Sequence, residues 1–105
     1  MRNAIMKFIE THQHASFVEL CNRVPGFEGD KIWYLDHGIL LWDGCSEEAI
    51  ETMKPLMMSG AISFTVAHPL VYIIDGFLPS YPIAKSPTKV YKKYHWLPVT
   101  FSVCD

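Results

Sequence analysis

Two stretches near the start of the chain place apolar side chains at the three-to-four-residue spacing of an amphipathic helix. The first stretch covers residues 3–12, where isoleucine and phenylalanine side chains share one face. The second begins at Ser16, because Glu19 three residues later completes a capping box. Pro25 and Gly26 end this second helix. The first quarter of the chain therefore predicts two short helices.

A third helix is predicted over residues 46–60, with Ser46 as its N-cap and Gly60 as its C-terminal stop. Pro55 lies inside this pattern, where proline removes a backbone hydrogen bond and disfavours helical geometry at the residue before it. We therefore expect either a kink at Pro55 or a helix that ends near Met53.

Five shorter runs rich in β-branched and aromatic residues favour strands. They cover residues 31–35, 39–42, 61–67, 70–75 and 99–103. Turn residues at 36–38 would join the first two runs, and His68-Pro69 would join the third and fourth into a hairpin. Residues 27–30 are expected to form a loop. This order of helix, helix, strand, helix and hairpin predicts an α+β fold like a winged helix-turn-helix.

The length of 105 residues predicts a single domain over residues 1–105. Its core is expected in residues 1–76, with residues 77–105 packed on that core. Four of the seven prolines lie within this later part. Because proline blocks ladder pairing, we expect an extended, irregular C-terminal segment with a closing strand at 99–103.

Composition sets few limits on function. The net charge is -2 and the pI is near 6.2, so any nucleic-acid site has to come from local charge. Cys21, Cys45 and Cys104 have no paired spacing, which disfavours a zinc ribbon and favours a reducing cytoplasm. No apolar run is long enough to predict a membrane-spanning segment.

The strongest functional pattern is the sequence KSPTKVYKKYHW at residues 85–96, which holds four of the nine basic residues. Ammonium groups neutralise phosphates, and flat rings stack on unpaired bases. The candidate nucleic-acid-binding residues are Lys85, Lys89, Tyr91, Lys92, Lys93, Tyr94, His95 and Trp96. The alternative is that the rings pack this segment onto the core while the lysines solvate its outer side, and Trp96 is the first candidate for such burial.

The third helix is acidic where a DNA-reading helix would be basic. It carries Glu47, Glu48 and Glu51 against a single Lys54. Recognition helices present donors to base edges, so this composition disfavours binding in the major groove of duplex DNA. The acidic side is either a solvated face or a surface that binds another protein.

Enzyme motifs are weak. His12 and His14 lack further ligands at metal-binding spacing, and the Asp36-His37 and Asp43-Cys45 pairs are of a kind common by chance. The sequence contains no phosphate-binding glycine loop and no nucleophile elbow. We therefore expect no catalytic residues, no metal and no cofactor.

Three strings resemble a known family. LVYIIDG at 70–76, YPIAKS at 81–86 and YKKYHWLPVTF at 91–101 are similar to small proteins encoded by staphylococcal chromosomal cassettes. The resemblance implies a winged-helix-like domain that binds single-stranded DNA outside the groove used by duplex-binding relatives. It also implies a role in replication of the cassette, beside a helicase and a polymerase.

From the residues and this resemblance we predict a non-enzymatic, cytoplasmic single-stranded DNA-binding protein that serves replication of a mobile genetic element. Its partners would be single-stranded DNA and a helicase or polymerase of the same element, with no membrane. The alternative is a protein-interaction adaptor or inhibitor of a DNA-processing enzyme, which would use the acidic helix face. A duplex-binding transcription factor is disfavoured by the same acidic helix.

Overall fold

The computed structural model describes residues 1–35, 37–74, 76, 80–86 and 89–103. Within these residues the chain forms an α+β fold of four helices and two three-stranded sheets. The elements, in chain order, are α1 (Arg2–Thr11), β1 (Ala15–Ser16), α2 (Phe17–Arg23), β2 (Glu28–Tyr34), β3 (Ile39–Cys45), α3 (Glu47–Met58), β4 (Ile62–Val66), α4 (Leu70–Ile74), β5 (His95–Trp96) and β6 (Val99–Val103). None of the helices in these residues is long and apolar enough to cross a membrane.

The caps of the second and third helices match their sequence signals. The Ser16 hydroxyl accepts the Glu19 N–H at 3.2 Å, and a Glu19 carboxylate oxygen accepts the Ser16 N–H at 3.0 Å. The Ser46 hydroxyl accepts the Ala49 N–H at 3.1 Å. The first backbone N–H groups of a helix have no acceptor within the helix, and these side chains supply one. The predicted starts of both helices are therefore confirmed.

The helix α3 continues through Pro55 to Met58, so the expected end near Met53 is wrong. Met53 and Leu56 are both buried, one on either side of the proline, while Pro55 itself is exposed. Packing of this face onto the core therefore outweighs one missing hydrogen bond. The helix stops before Gly60, which has a φ of 80° and confirms the predicted end.

The first sheet has the strand order β1-β6-β4, and every pair in it is antiparallel. The predicted closing strand at 99–103 is β6, which lies in the centre of this sheet. The predicted hairpin between residues 61–67 and 70–75 is wrong, because β4 pairs with β6 and residues Leu70–Ile74 form α4.

The helix α4 forms because local bonds and one buried ring favour it over a strand. Proline is well tolerated in a first helical turn, and the carbonyl of Pro69 accepts the N–H of Ile73 at 3.2 Å. The Nδ1 atom of His68 accepts the N–H of Leu70 at 3.1 Å. Tyr72 is fully buried, and its hydroxyl donates to the Val99 carbonyl at 2.6 Å. Asp75, the last residue of the predicted strand, lies outside the described residues.

The second sheet joins β2 to β3 as an antiparallel hairpin, and β5 adds to β3 in parallel. The predicted strands at 31–35 and 39–42 are thus confirmed, but β2 begins earlier, at Glu28, in the region expected to be a loop. Gly29 permits this start, since an added Cβ would lie 2.6 Å from the Cα of Ser46. Of the turn between the strands, Asp36 is outside the described residues.

One aromatic cluster connects the two sheets. The Phe17 ring stacks on Trp42 of the second sheet at 5.4 Å and meets Phe101 of the first sheet edge-on at 5.2 Å. Trp42 in turn lies 5.5 Å from Tyr72 and 6.5 Å from Trp96. Each large aromatic ring buries about 150–250 Å² of surface, so this cluster fixes the two sheets and the late segment together.

Candidate nucleic-acid interface

The late segment that carries the lysines is fixed to the turn between β2 and β3. The N–H of Tyr91 donates to the His37 carbonyl at 3.0 Å, and the N–H of His95 donates to the Gly38 carbonyl at 2.8 Å. Gly38 has a φ of 77°, and an added Cβ would lie only 2.5 Å from the Tyr91 carbonyl oxygen. The turn therefore needs glycine both for its backbone angle and for this close approach.

Tyr91 organises the polar groups around it. Its ring stacks on the His95 ring with centroids 3.9 Å apart and an interplanar angle of 24°. Its hydroxyl accepts the N–H of Lys85 at 2.9 Å, and the Lys89 Nζ lies 5.6 Å from its ring centroid. The Nδ1 atom of His95 lies 2.8 Å from the Lys93 carbonyl oxygen. These contacts hold the ring pair in one orientation among the basic residues.

A second ring pair lies on the same part of the molecule. The Tyr34 and Tyr94 rings have centroids 4.8 Å apart and are tilted by 45°. Tyr34 is 47% exposed and Tyr94 is 50% exposed, so both rings present apolar surface to solvent. The sequence prediction omitted Tyr34. Alternation along β2, where Trp33 is buried, is the signal that would have placed the Tyr34 side chain outside.

The lysines around these rings are exposed to solvent. They are Lys85, Lys89, Lys92 and Lys93. None of them forms an ion pair with any carboxylate that the structure describes. We name this region the tyrosine–lysine surface, and its members are Tyr34, Lys85, Lys89, Tyr91, Lys92, Lys93, Tyr94 and His95.

Trp96 does not belong to this surface, which corrects its assignment as a binding residue. Its side chain is only 1% exposed, and its Nε1–H donates to the Leu41 carbonyl at 3.1 Å. Its ring also meets the Tyr72 ring edge-on at 4.9 Å. A ring with both faces inside the core has no face left for a base, so Trp96 acts in packing. The other seven candidate residues remain exposed or half-buried.

Of the two pairs considered for catalysis, Asp43 and Cys45 lie among the described residues, whereas Asp36 of the other pair does not. Cys45 is fully buried, and burial raises the pKa of its thiol to about 11, so the thiol is protonated at neutral pH. The Asp43 carboxylate instead accepts a hydrogen bond from the Tyr81 hydroxyl at 3.1 Å, which raises the pKa of Tyr81. Burial likewise raises the pKa of Cys21 to about 11. Cys104 lies outside the described residues.

His12 and the glutamates of α3 are the remaining residues considered in the sequence. The His12 ring stacks on Phe8 at 4.5 Å, and the part of the chain that the structure describes holds no cluster of three potential metal ligands. Glu47, Glu48 and Glu51 of α3 are all exposed, as the sequence predicts for a solvated or protein-binding face.

Comparisons with protein-family models, with curated proteins and with solved structures gave no match. The resemblance to cassette-encoded proteins therefore stays a prediction, and the functional argument rests on the geometry of the tyrosine–lysine surface.

Proposed function

We propose that this protein is a non-enzymatic single-stranded DNA-binding protein of the cytoplasm, serving replication of a mobile genetic element. The observation that carries the proposal is the tyrosine–lysine surface, where exposed rings lie among lysines that no described carboxylate neutralises. The mobile element, and a helicase or polymerase as partner, are taken from the sequence resemblance.

The chemistry of the surface suits an unpaired strand better than a duplex. Each base that stacks on an exposed aromatic side chain contributes about 1–3 kcal/mol, whatever its sequence. In a duplex the base faces are covered by neighbouring pairs, so the Tyr34 and Tyr94 rings would have no face to stack on. The lysines beside them would neutralise successive phosphates and make binding depend on salt.

We also infer that the fold is winged-helix-like. Its support is the order α1, β1, α2, α3, β4 and β6, together with a sheet in which β6 lies between β1 and β4. Two features depart from a simple winged helix: the β2–β3 hairpin lies between α2 and α3, and residues 67–98 replace a short wing turn. The tyrosine–lysine surface lies on these two additions. Binding would therefore use parts of the chain that a duplex-reading domain lacks.

The adaptor hypothesis is supported by a separate observation. The three glutamates of α3 are exposed, and they give one side of the molecule a local negative charge. Such a face would bind a basic surface of a DNA-processing enzyme. It would act without DNA, so a pull-down in which DNA has been digested separates this function from the first.

Fluorescence anisotropy with labelled oligonucleotides tests the proposal. We expect a single strand to bind at least about tenfold more tightly than the duplex of the same sequence, because only the single strand offers free base faces. The dissociation constant should rise with salt, with a slope of about 0.7 per phosphate contact for a single strand. Equal affinity for both forms, or an affinity that does not change with salt, would contradict the proposal.

A further inference from the structure

A shallow apolar groove lies between β2 and α3, beside the tyrosine–lysine surface. Its volume is about 250 Å³, and it is lined by Trp33, Tyr34, Leu35, Lys54, Met57 and Met58. Met58 is 88% exposed, although methionine is more often found in protein cores. The groove thus presents thioether and aromatic side chains together with the ammonium group of Lys54.

The groove is continuous with the tyrosine–lysine surface through a single side chain. Tyr34 lines the groove, and its ring lies 4.8 Å from the Tyr94 ring. Both rings are about half exposed, so they form an uncovered apolar path from the lysine segment to the groove.

Charge favours a nucleotide over an uncharged apolar ligand in this groove. Among the described residues of its lining, Lys54 is the one that is ionised, and no described carboxylate forms an ion pair with it. Glu51 is the exposed α3 glutamate nearest to Lys54 in sequence, about 4.5 Å from it along the helix axis at 1.5 Å per residue, and Glu47 and Glu48 are about 10 Å from it. None of these three glutamates is among the described residues that line the groove, so a phosphate in the groove would contact Lys54 rather than a carboxylate of α3.

We propose that this groove is a second contact for the same single strand. An unpaired base would enter between Tyr34 and Met58, and the adjoining phosphate would contact the ammonium group of Lys54. This inference rests on the proposed function, because the strand must first lie on the tyrosine–lysine surface. The bound strand would then follow a path over the surface from the lysine segment, across Tyr94 and Tyr34, to α3.

A length series tests the inference with a variant that alters only exposed side chains. Oligothymidylates of about 4 to 16 nucleotides, the range of site sizes seen for small single-strand-binding folds, would be titrated against wild type and against the double variant Lys54→Glu, Met58→Ser. The affinity of wild type should rise with strand length on the tyrosine–lysine surface, and it should show a second rise at the length that reaches the groove. The variant should bind the shortest strands like wild type and lose about tenfold or more on the longest.

The control is Lys7→Glu, which makes the same charge change on the exposed side of α1. It should follow the wild-type curve at every length. Identical curves for wild type and the groove variant would overturn the inference while leaving the proposed function intact. Failure of wild type to bind a strand of any length would instead overturn the proposed function, and this inference with it.

Discussion

Replacing both Lys92 and Lys93 with glutamate is expected to weaken single-strand binding by at least about 100-fold, because two phosphate contacts become two repulsions. Both side chains are exposed, so the variant should keep the wild-type melting temperature and circular dichroism spectrum. The salt dependence should also become shallower by about 1.4, which is two contacts at 0.7 each. Anisotropy titrations at several salt concentrations measure both effects.

A matched control separates local charge from net charge. The variant Lys7→Glu, Arg23→Glu changes the protein charge by the same amount, on a groove between α1 and α2. If only the tyrosine–lysine surface binds DNA, this control should lose no more than a few-fold in affinity. Equal losses in the two variants would mean that overall charge, rather than this surface, determines binding.

Replacing Trp96 with alanine is expected to lower stability by about 3–5 kcal/mol, the usual cost of deleting a large buried ring. In a domain of this size that loss lowers the melting temperature by roughly 15 °C or more. Replacing Tyr94 with alanine should leave stability nearly unchanged, because the Tyr94 side chain is 50% exposed. The same replacement should weaken single-strand binding by about fivefold or more, because the stacking ring is lost. Thermal unfolding and anisotropy on both variants measure these opposite effects.

The conservative change Trp96→Phe refines this comparison. It keeps an aromatic ring near Tyr72 but removes the hydrogen bond to the Leu41 carbonyl, so its stability should lie between wild type and Trp96→Ala. A folded and stable Trp96→Ala protein that had lost DNA binding would show that Trp96 stacks on bases, contrary to its position in the structure.

Local sequence signals predict the first three helices of this fold, α1, α2 and α3. The Ser16–Glu19 capping box and the Ser46 cap each determine a helix start by bonds within four residues, so they can be recognised without knowledge of the partner elements. Local rules give Pro55 too large a helix-breaking effect, because they do not include the packing of Met53 and Leu56 against the core.

The run LVYII shows where local signals fail. Five β-prone residues in a row fit a buried strand and a short buried helix equally well by periodicity. The outcome depended on Tyr72, whose hydroxyl bonds both the Val99 carbonyl and the Phe17 N–H, residues far away in the sequence. The partner of β4 was likewise mispredicted, because β6 comes more than thirty residues later in the chain.

The candidate site was predicted in composition but not in arrangement. The lysines and tyrosines of residues 85–96 could be identified because they are clustered in sequence. Tyr34 and Lys54 come from β2 and α3, and only the fold brings Tyr34 against Tyr94. Alternation along a strand would place Tyr94 and Trp96, two residues apart, on the same face, so it does not predict that one is exposed and the other buried. Tyr94 precedes β5, whereas Trp96 is buried where β5 pairs with β3.

Mapping the backbone amide shifts of isotope-labelled protein during titration with a single-stranded oligonucleotide tests the central claim most directly. We predict that the largest shifts will fall on residues 89–95 and on Tyr34, with small shifts in α1 and in the first turn of α3. Shifts concentrated on α1 or on Glu47 and Glu48, with the tyrosine–lysine surface unchanged, would contradict the account.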